Sequence, residues 1–380
     1  MRVLVIGAGP TGLTLAAGLR RRGIEARLVD RAPAPATTSR ALGIQARTLE
    51  VMERLGIAGA VLERAHRIEG LAVHLTEGAP PMTADLLPIH PRFPPIVLLA
   101  QTETERLLRE AALGGPGPER GVAFAGLERP GTALLTHPGG RIERAEADWI
   151  VGCDGAHSAV RHAVGADFPG EQYPFQAVLA DGTCPGLDRG RIHLFPQGRR
   201  RMMAWFPMPA DQGAGSASWR AIALYPPGAA PPPPEASAEP FAHPDIAPLS
   251  DITWYSVFRL SHRQVQRVRH GRVLLCGDAA HIHSPAGGQG MNLGIQDAWA
   301  LSAALAKEDE LAVDAWAAER HAVAGKVLRA TDAATRLMTA SGPLPALVRR
   351  IGVTAVARIP ALRRRVLTGL SGMLYPPVPA

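Results

Sequence analysis

The sequence predicts an α/β protein: a Rossmann-like nucleotide-binding domain, an inserted antiparallel β-sheet domain and a C-terminal helical tail. Three observations predict it. Residues 1–30 read strand, glycine turn, helix, strand. Between 177 and 258 the texture changes to short apolar and aromatic runs separated by Pro/Gly turns, the pattern of antiparallel strands. At Gly271 a buried-strand run and a glycine-rich loop return, as if the first domain resumed after an insertion.

The opening unit carries the most specific signal. Val3 to Ile6 is a continuous apolar run of the buried-strand kind. Gly7-Ala8-Gly9-Pro10-Thr11-Gly12 follows at once as G-x-G-x-x-G, and Leu13 to Arg22 has helical spacing. Gly7 permits the tight turn, Gly9 lets the backbone approach a pyrophosphate, and Gly12 lets helix pack on strand. The free N–H groups of that helix start favour anions. Asp30 ends the second strand, Ala26 to Val29, at the offset of about 20 residues expected of an acid that accepts ribose hydroxyls. The unit predicts dinucleotide binding without choosing the dinucleotide.

Arg31 to Ser39 is a Pro/Thr/Ser loop, and Arg40 to Leu55 has helical apolar spacing that Gly56 ends. Gly70 to Leu75 reads as a strand, and Gln101 to Leu113 as a helix with Glu103 and Glu105 suited to its dipole. Val122 to Phe124, Ala133 to Thr136 and Ala147 to Val151 read as strands. The inserted strands fall at 191–195, 202–206, 219–225 and 253–260. Arg199 to Arg201 reads as a solvated hairpin turn, and Pro226 to Pro248 as an exposed extended connection. Arg272 to Leu275 is a buried strand, and Ile295 to Leu305 a helix opening just after the glycines 287–294. The remainder is helical and basic, interrupted by Gly342-Pro343, Pro345 and Pro360, with Arg363 to Arg365 on a wet face.

Composition narrows the function classes. The 380 residues carry a net charge of +7, and Lys307 and Lys326 are the only lysines, so the basicity is partly compositional. No basic face interleaved with stacking aromatics suggests nucleic acid. No apolar stretch is long enough to span a bilayer, and no secretory signal is visible, which predicts a soluble cytoplasmic protein without a membrane partner. Cys153, Cys184 and Cys276 are too dispersed for a disulfide framework or a CxxC knuckle and read as packing residues. His281 and His283 have no third ligand nearby, so no metal is expected, and His281 reads as structural. Met202, Met203, Trp205, Phe206, Trp219, Tyr225, Trp254 and Phe258 read as core of the inserted sheet.

Three strand-end stretches carry phosphate- or sugar-binding chemistry: the first turn, Cys153-Asp154-Gly155, and Gly277-Asp278 with the glycines up to Gly294. Together GAGPTG at Gly7 to Gly12, CDGAHSAVR at Cys153 to Arg161 and GDAAHIHSPAGGQGMNLGIQDA at Gly277 to Ala298, with Arg40-Ala41-Leu42 and Gln101, resemble the FAD-dependent aromatic hydroxylases, the single-component group A flavoprotein monooxygenases related to para-hydroxybenzoate hydroxylase. The likeness spans essentially the whole chain, in a short form without a C-terminal thioredoxin-like domain. It implies FAD as cofactor and NADPH or NADH as co-substrate. Gly7, Gly9, Pro10, Thr11 and Gly12 would hold the pyrophosphate, and Asp30, with Arg31 beside it, the ribose. Arg40 and Gln101 would lie near the phosphates and ribityl chain, and Asp278 at the ribityl or pyrophosphate region. Pro285, Gly287, Gly288, Gln289, Gly290, Met291 and Asn292 would line the isoalloxazine. Asp154 and Arg161 belong to the stretch linked to both FAD and NAD(P)H handling. No catalytic side chain is implied, because the chemistry is the cofactor's.

The implied reaction is hydroxylation of an aromatic or polyketide-like small molecule by O2 through a C4a-hydroperoxyflavin. The alternatives are a Baeyer–Villiger or antibiotic-inactivating monooxygenase on the same scaffold, a halogenase, and a non-catalytic flavin-binding protein. A halogenase needs a Trp-x-Trp-x-Ile-Pro stretch and a catalytic lysine, and neither is visible. The expected division is 1–70, 98–170 and 265–335 for FAD, 71–97 and 171–264 for substrate, and 336–380 for the helical segment, in a monomer or homodimer.

Overall fold

A computed structural model describes residues 1–38, 41–112, 117–196, 202–209, 218–225, 233, 238–340 and 342–379. Arg40, the 199–201 turn and much of the 226–237 connection lie outside the described residues.

Val3–Ile6, Trp149–Gly152 and Val273–Leu275 are buried at every position. Strands buried on both faces belong in a parallel sheet covered by helices. They form the centre of a six-stranded sheet in the order Arg269–His270, Val273–Leu275, Trp149–Gly152, Val3–Ile6, Ala26–Asp30, Glu119–Arg120. The four central strands run parallel. The helix Pro10–Arg21 packs between the helices Gln101–Ala112 and Gly290–Leu305 over this sheet.

The second large sheet has eight strands: His281–Ile282, Ser250–Gln264, Gly170–Thr183, Ser218–Tyr225, Met203–Pro207, Arg191–Phe195, Gly70–Val73 and Met82–Asp85. All its pairings are antiparallel except Arg191–Phe195 with Gly70–Val73, which is parallel. Side chains alternate between its faces. One face gathers Val178, Ala180, Phe195, Trp205, Trp219 and Ala221 into a core. The other carries two apolar clusters, one around Tyr173, Phe175, Leu179 and Leu224, the other bringing Ile192 and Phe206 onto Leu42 and Leu98.

Several expectations need correction. The stretch 40–55 is not one helix: Gly43–Gln45 is a strand paired with Ile96–Leu98, and the helix is Ala46–Arg54. Partners fifty residues away set that strand, and local apolar spacing does not register them. Ile142–Glu146, an exposed-edged strand too charged to read as apolar, completes a three-stranded antiparallel sheet with Ala123–Arg129 and Thr132–Thr136. The helix expected from Ile295 begins at Gly290, so Gly290 and Gly294 lie inside it. The Pro226–Pro248 connection is not wholly exposed either. Glu239–Phe241 forms a 3-10 turn, and Phe241 is fully buried edge-on to Trp205 at 6.1 Å.

The chain closes with the helices Glu310–Thr339, Pro343–Arg358 and Pro360–Leu370. Residues 371–379 then return over the first sheet's helices. Trp299 Nε1 donates to the Pro379 carbonyl at 2.7 Å and Arg54 to that of Val378 at 3.0 Å.

Candidate cofactor and substrate site

The three glycine-bearing strand ends, up to 270 residues apart in sequence, meet at one place. Val3–Ile6, Trp149–Gly152 and Val273–Leu275 are neighbours, so Gly7, Cys153 and Cys276 leave the sheet side by side. Cys153 N–H donates to the Ile6 carbonyl at 2.7 Å and Cys276 N–H to that of Gly152 at 2.9 Å. Open α/β sheets bind ligands outside such carboxyl ends.

The glycines divide by what surrounds them. Gly7 has φ +103°, and a Cβ there would lie 2.5 Å from the Cys153 carbonyl oxygen. A Cβ on Gly12 would lie 1.9 Å from the Gly7 oxygen. Both are required by the protein's own packing. Gly9 differs, with ordinary extended dihedrals and nothing within 4 Å of its Cβ position. Its bare side faces open space, which fits a backbone approached by a ligand. Thr11 is a wedge: Cβ atoms on Gly277 and Gly294 would come within 2.6 and 2.4 Å of its Oγ1. The first turn, the Gly277-Asp278 turn and the helix Gly290–Leu305 thus lock through one hydroxyl.

Asp30 has structural duties that sequence reasoning missed. Its Oδ2 accepts the Ala8 N–H at 2.6 Å, its Oδ1 the Ala32 N–H at 2.7 Å, and Arg120 lies 3.7 Å away. Neighbouring Glu105 is a second missed acid, 7% exposed and bonded by Gln101 Nε2 at 2.8 Å. Burial pushes its carboxyl above the ordinary range against the pull of Gln101 and Arg120. The Gln101 backbone N–H donates to the Ala41 carbonyl. Arg31 is exposed.

Asp154 and Arg161 tie loops together. Asp154 accepts Ser158 Oγ–H at 2.6 Å and the Ala159 and Val160 N–H groups, and Ser158 in turn caps Ala159–Ala163 by accepting the Arg161 N–H at 2.9 Å. Arg161, 4% exposed, donates to the carbonyls of Ala156 and Ala279 and stacks 4.0 Å over Phe168, joining the second strand-end loop to the third.

Asp278 is exposed in the third loop, yet protein surrounds it closely enough that desolvation raises its pKa, against His281. Behind it lies a buried triad. His281 Nε2 is 2.7 Å from Asp297 Oδ2, and Arg320 Nε 2.6 Å from Oδ1, all three about 3% exposed. Burial works to raise the Asp297 pKa, but Arg320 and His281 outweigh it and hold the carboxyl below its usual value. The triad fixes the helix that carries Asn292.

Gly287 (φ +81°) and Gly288 (φ +61°) turn the chain before that helix, with Gln289 as its N-cap residue. Asn292 is fully buried. It accepts the Gln45 N–H at 3.0 Å and donates to the carbonyls of Gly43 at 2.8 Å and Gly288 at 2.7 Å. It therefore pins strand Gly43–Gln45 to the glycine loop. Gln289 reaches the Gly369 carbonyl, Met291 packs on the main core, and Ser284, beside Pro285, accepts Thr335 Oγ1–H at 2.5 Å.

The eight-stranded sheet joins this region through Arg220. Arg220, 3% exposed, holds Asp181 through two 2.7 Å bonds, lies 4.9 Å from the centre of the Trp254 ring and reaches the Ala41 carbonyl at 3.4 Å. It joins the sheet to the loop leading into strand Gly43–Gln45. A cavity of about 540 Å³ lined by Met1, Asp148, Arg272 and Glu308 contains none of these residues.

This is a dinucleotide-binding flavoprotein fold. The family model for the FAD binding domain matches residues 1–331. The chain is 36% identical over 399 residues to 6-methylpretetramide 4-monooxygenase of Streptomyces rimosus, across 98% of this chain and 69% of that one. It is 32% identical over 393 residues to pentachlorophenol 4-monooxygenase of Sphingobium chlorophenolicum, across 98% and 70%. Among solved structures, the OxyS anhydrotetracycline hydroxylase from Streptomyces rimosus superposes with a TM-score of 0.78 at 32% identity, covering 99% of this chain and 77% of that one. The chain belongs to the FAD-dependent aromatic hydroxylase family and is a flavin-dependent monooxygenase. None of the described helices is long and apolar enough to cross a membrane.

Proposed function

We propose that the chain uses NADPH or NADH and O2 to hydroxylate an aromatic or polyketide-like small molecule held between the two large sheets. The observation that carries this is the convergence of three glycine-bearing strand ends at one place, with Arg220 tying the apolar face of the eight-stranded sheet to the loop at Ala41. Gly9 and the free N–H groups at the start of Pro10–Arg21 would take the pyrophosphate, Asp30 the ribose, and Asp278 the ribityl chain. Pro285, Gly287 and Gly288 would meet the ring edge, with Asn292 holding them in place. When bound, FAD supplies hydride acceptance and oxygen activation.

The protein's own part is orientation and exclusion of water. Ile222, Phe206, Trp254 and Phe258 are partly buried on the same face of the sheet as Arg220 and would form the apolar wall against which a planar substrate lies. The Asp181–Arg220 pair is neutral as a unit and adds a fixed dipole to that wall. On this reading FAD belongs to 1–70, 98–170 and 265–335, and substrate to 71–97 and 171–264.

The test is direct. Purified protein with FAD is given NADPH and a panel holding a pretetramide-type polyketide, an anhydrotetracycline and chlorophenols. A ligand should accelerate NADPH consumption and yield a product heavier by one oxygen. FAD-loaded protein that no panel member stimulates, with only peroxide formed, would count against hydroxylation of these classes.

A further inference from the structure

We propose that the helices Pro343–Arg358 and Pro360–Leu370 form a face that docks on an anionic phospholipid surface. Leu344, Leu347, Val348 and Ile351 are 69, 53, 46 and 60% exposed. At this spacing they form one stripe on the first helix. Further along the chain Ile359, Val366 and Leu374 are also exposed, at 50, 38 and 58%. Eight of the eleven exposed large hydrophobic side chains among the described residues fall between 337 and 374. On the inward side, buried Arg349 donates to the carbonyls of Leu337 and Ala340, fastening the helix to the end of Glu310–Thr339. The polar bonds face in and the aliphatic stripe faces out.

Charge identifies the occupant. Residues 1–332 carry 34 acidic and 34 basic side chains, and residues 333–380 carry seven arginines and no acid. Of those seven, Arg336 is ion-paired to Asp332 on the preceding helix and Arg349 points inward, which leaves Arg350, Arg358 and Arg363 to Arg365 on the two helices, with no acid on either. A second copy of this face would set arginines against arginines. The stripe is a single aliphatic helix surface without the aromatic anchors of a protein hot spot. Aliphatic side chains flanked by arginines match an anionic membrane interface, where the stripe enters the acyl boundary and the guanidinium groups meet phosphates.

The far end of the second helix rests on the glycine loop. Leu370 Cδ2 lies 2.8 Å from where a Gly287 Cβ would be, and Gln289 bonds the Gly369 carbonyl. Docking would place that loop beside the lipid phase, where apolar aromatic compounds concentrate. This consequence rests on the function proposed above, whereas lipid binding does not.

The test is co-sedimentation of the FAD-loaded protein with vesicles of phosphatidylcholine alone and of phosphatidylcholine with phosphatidylglycerol. Binding to the anionic vesicles should exceed binding to the neutral ones at least about fivefold and fall with added salt. The double variant Leu347→Glu/Ile351→Glu should lose it while keeping the parent's melting temperature and bound FAD, since both positions are exposed. Arg364→Glu/Arg365→Glu should weaken it. Parent protein left in solution with both vesicle types would overturn the proposal, as would undiminished binding by the Leu347→Glu/Ile351→Glu variant. A parent dimer that this variant converts to monomer, without vesicle binding, would assign the face to a second copy instead.

Discussion

Gly9 and Gly12 are three residues apart and answer the same substitution differently. Gly12→Ala drives a methyl into the Gly7 carbonyl, so that variant should fail to accumulate as folded protein. Gly9→Ala meets no protein atom, and its dihedrals suit alanine. It should keep the apo-protein's melting temperature and lose FAD affinity by about tenfold or more, roughly 1.4 kcal/mol, read by fluorescence titration. Normal FAD affinity in Gly9→Ala would remove the pyrophosphate from that face. Removing one member of a buried ion pair strands the other, at about 3–5 kcal/mol. Arg320→Met should therefore lower unfolding stability by about that amount, measured in urea. The glycine spacing was legible because each glycine's need is local. The triad was not: Asp297 meets His281 and Arg320 only after Gly290–Leu305 and Glu310–Thr339 have packed, and a lone acid in a helical stretch carries no sign of its partners.

At the scale of elements, the turn that matters most is pinned by a residue from the next helix. Asn292 spends its amide on three backbone groups of strand Gly43–Gln45 and the glycine loop. Asn292→Leu removes all three bonds and leaves buried polar groups unpaired, at about 1–3 kcal/mol each. The loop should then loosen. The expected readout is weaker FAD binding and a blue-shifted, less structured flavin absorption band, with the far-ultraviolet dichroism unchanged. An unaltered spectrum and affinity would show that the loop holds its shape without the pin. Continuous apolar strands and long helices were readable from sequence, because their periodicity is intrinsic. The three-residue strand at 43–45 and the charged strand at 142–146 were not, because pairing partners rather than propensity decide such short pieces.

Across the whole molecule, acid should act in two separate windows. His74 stacks on Phe195 at 4.0 Å and sits 3.0 Å from His193 Nδ1. Burial first, then His193 and His243, lower its pKa to about 4, against Asp245. The unfolded chain binds a proton there near pH 6.5, so this contribution is complete above that pH and is lost as pH falls towards 4. Asp297 is the opposite type of group. Its depressed pKa stabilises the fold above the ordinary carboxylate range and is lost only at lower pH. Urea midpoints should therefore fall in both windows. Burial also lowers His283 to about 4 and lowers His193, so His74→Phe should make the upper window shallower and Arg320→Met should flatten the lower, and a parent curve flat from pH 6.5 to 4 would contradict the first assignment. Arg220 ties the eight-stranded sheet to the loop at Ala41, so on the proposed reading a ligand held there would favour one arrangement of the two. Anaerobic reduction by NADPH should accordingly be faster by about an order of magnitude with substrate than without.

The order in which the crevice is assembled has a cost during synthesis. Its floor needs residues 3–6, 149–152 and 273–275 side by side, and the 371–379 segment returns over the helices. A ribosome must therefore release most of the chain before the first glycine turn has its neighbours, and the earliest apolar strand waits longest. Parallel pairing over such separations is slow and exposed to aggregation. A ligand that binds only the completed crevice withdraws finished molecules from that hazard. Riboflavin supplied to an expressing cell should raise the soluble yield of this chain, and should raise that of the Gly9→Ala variant less.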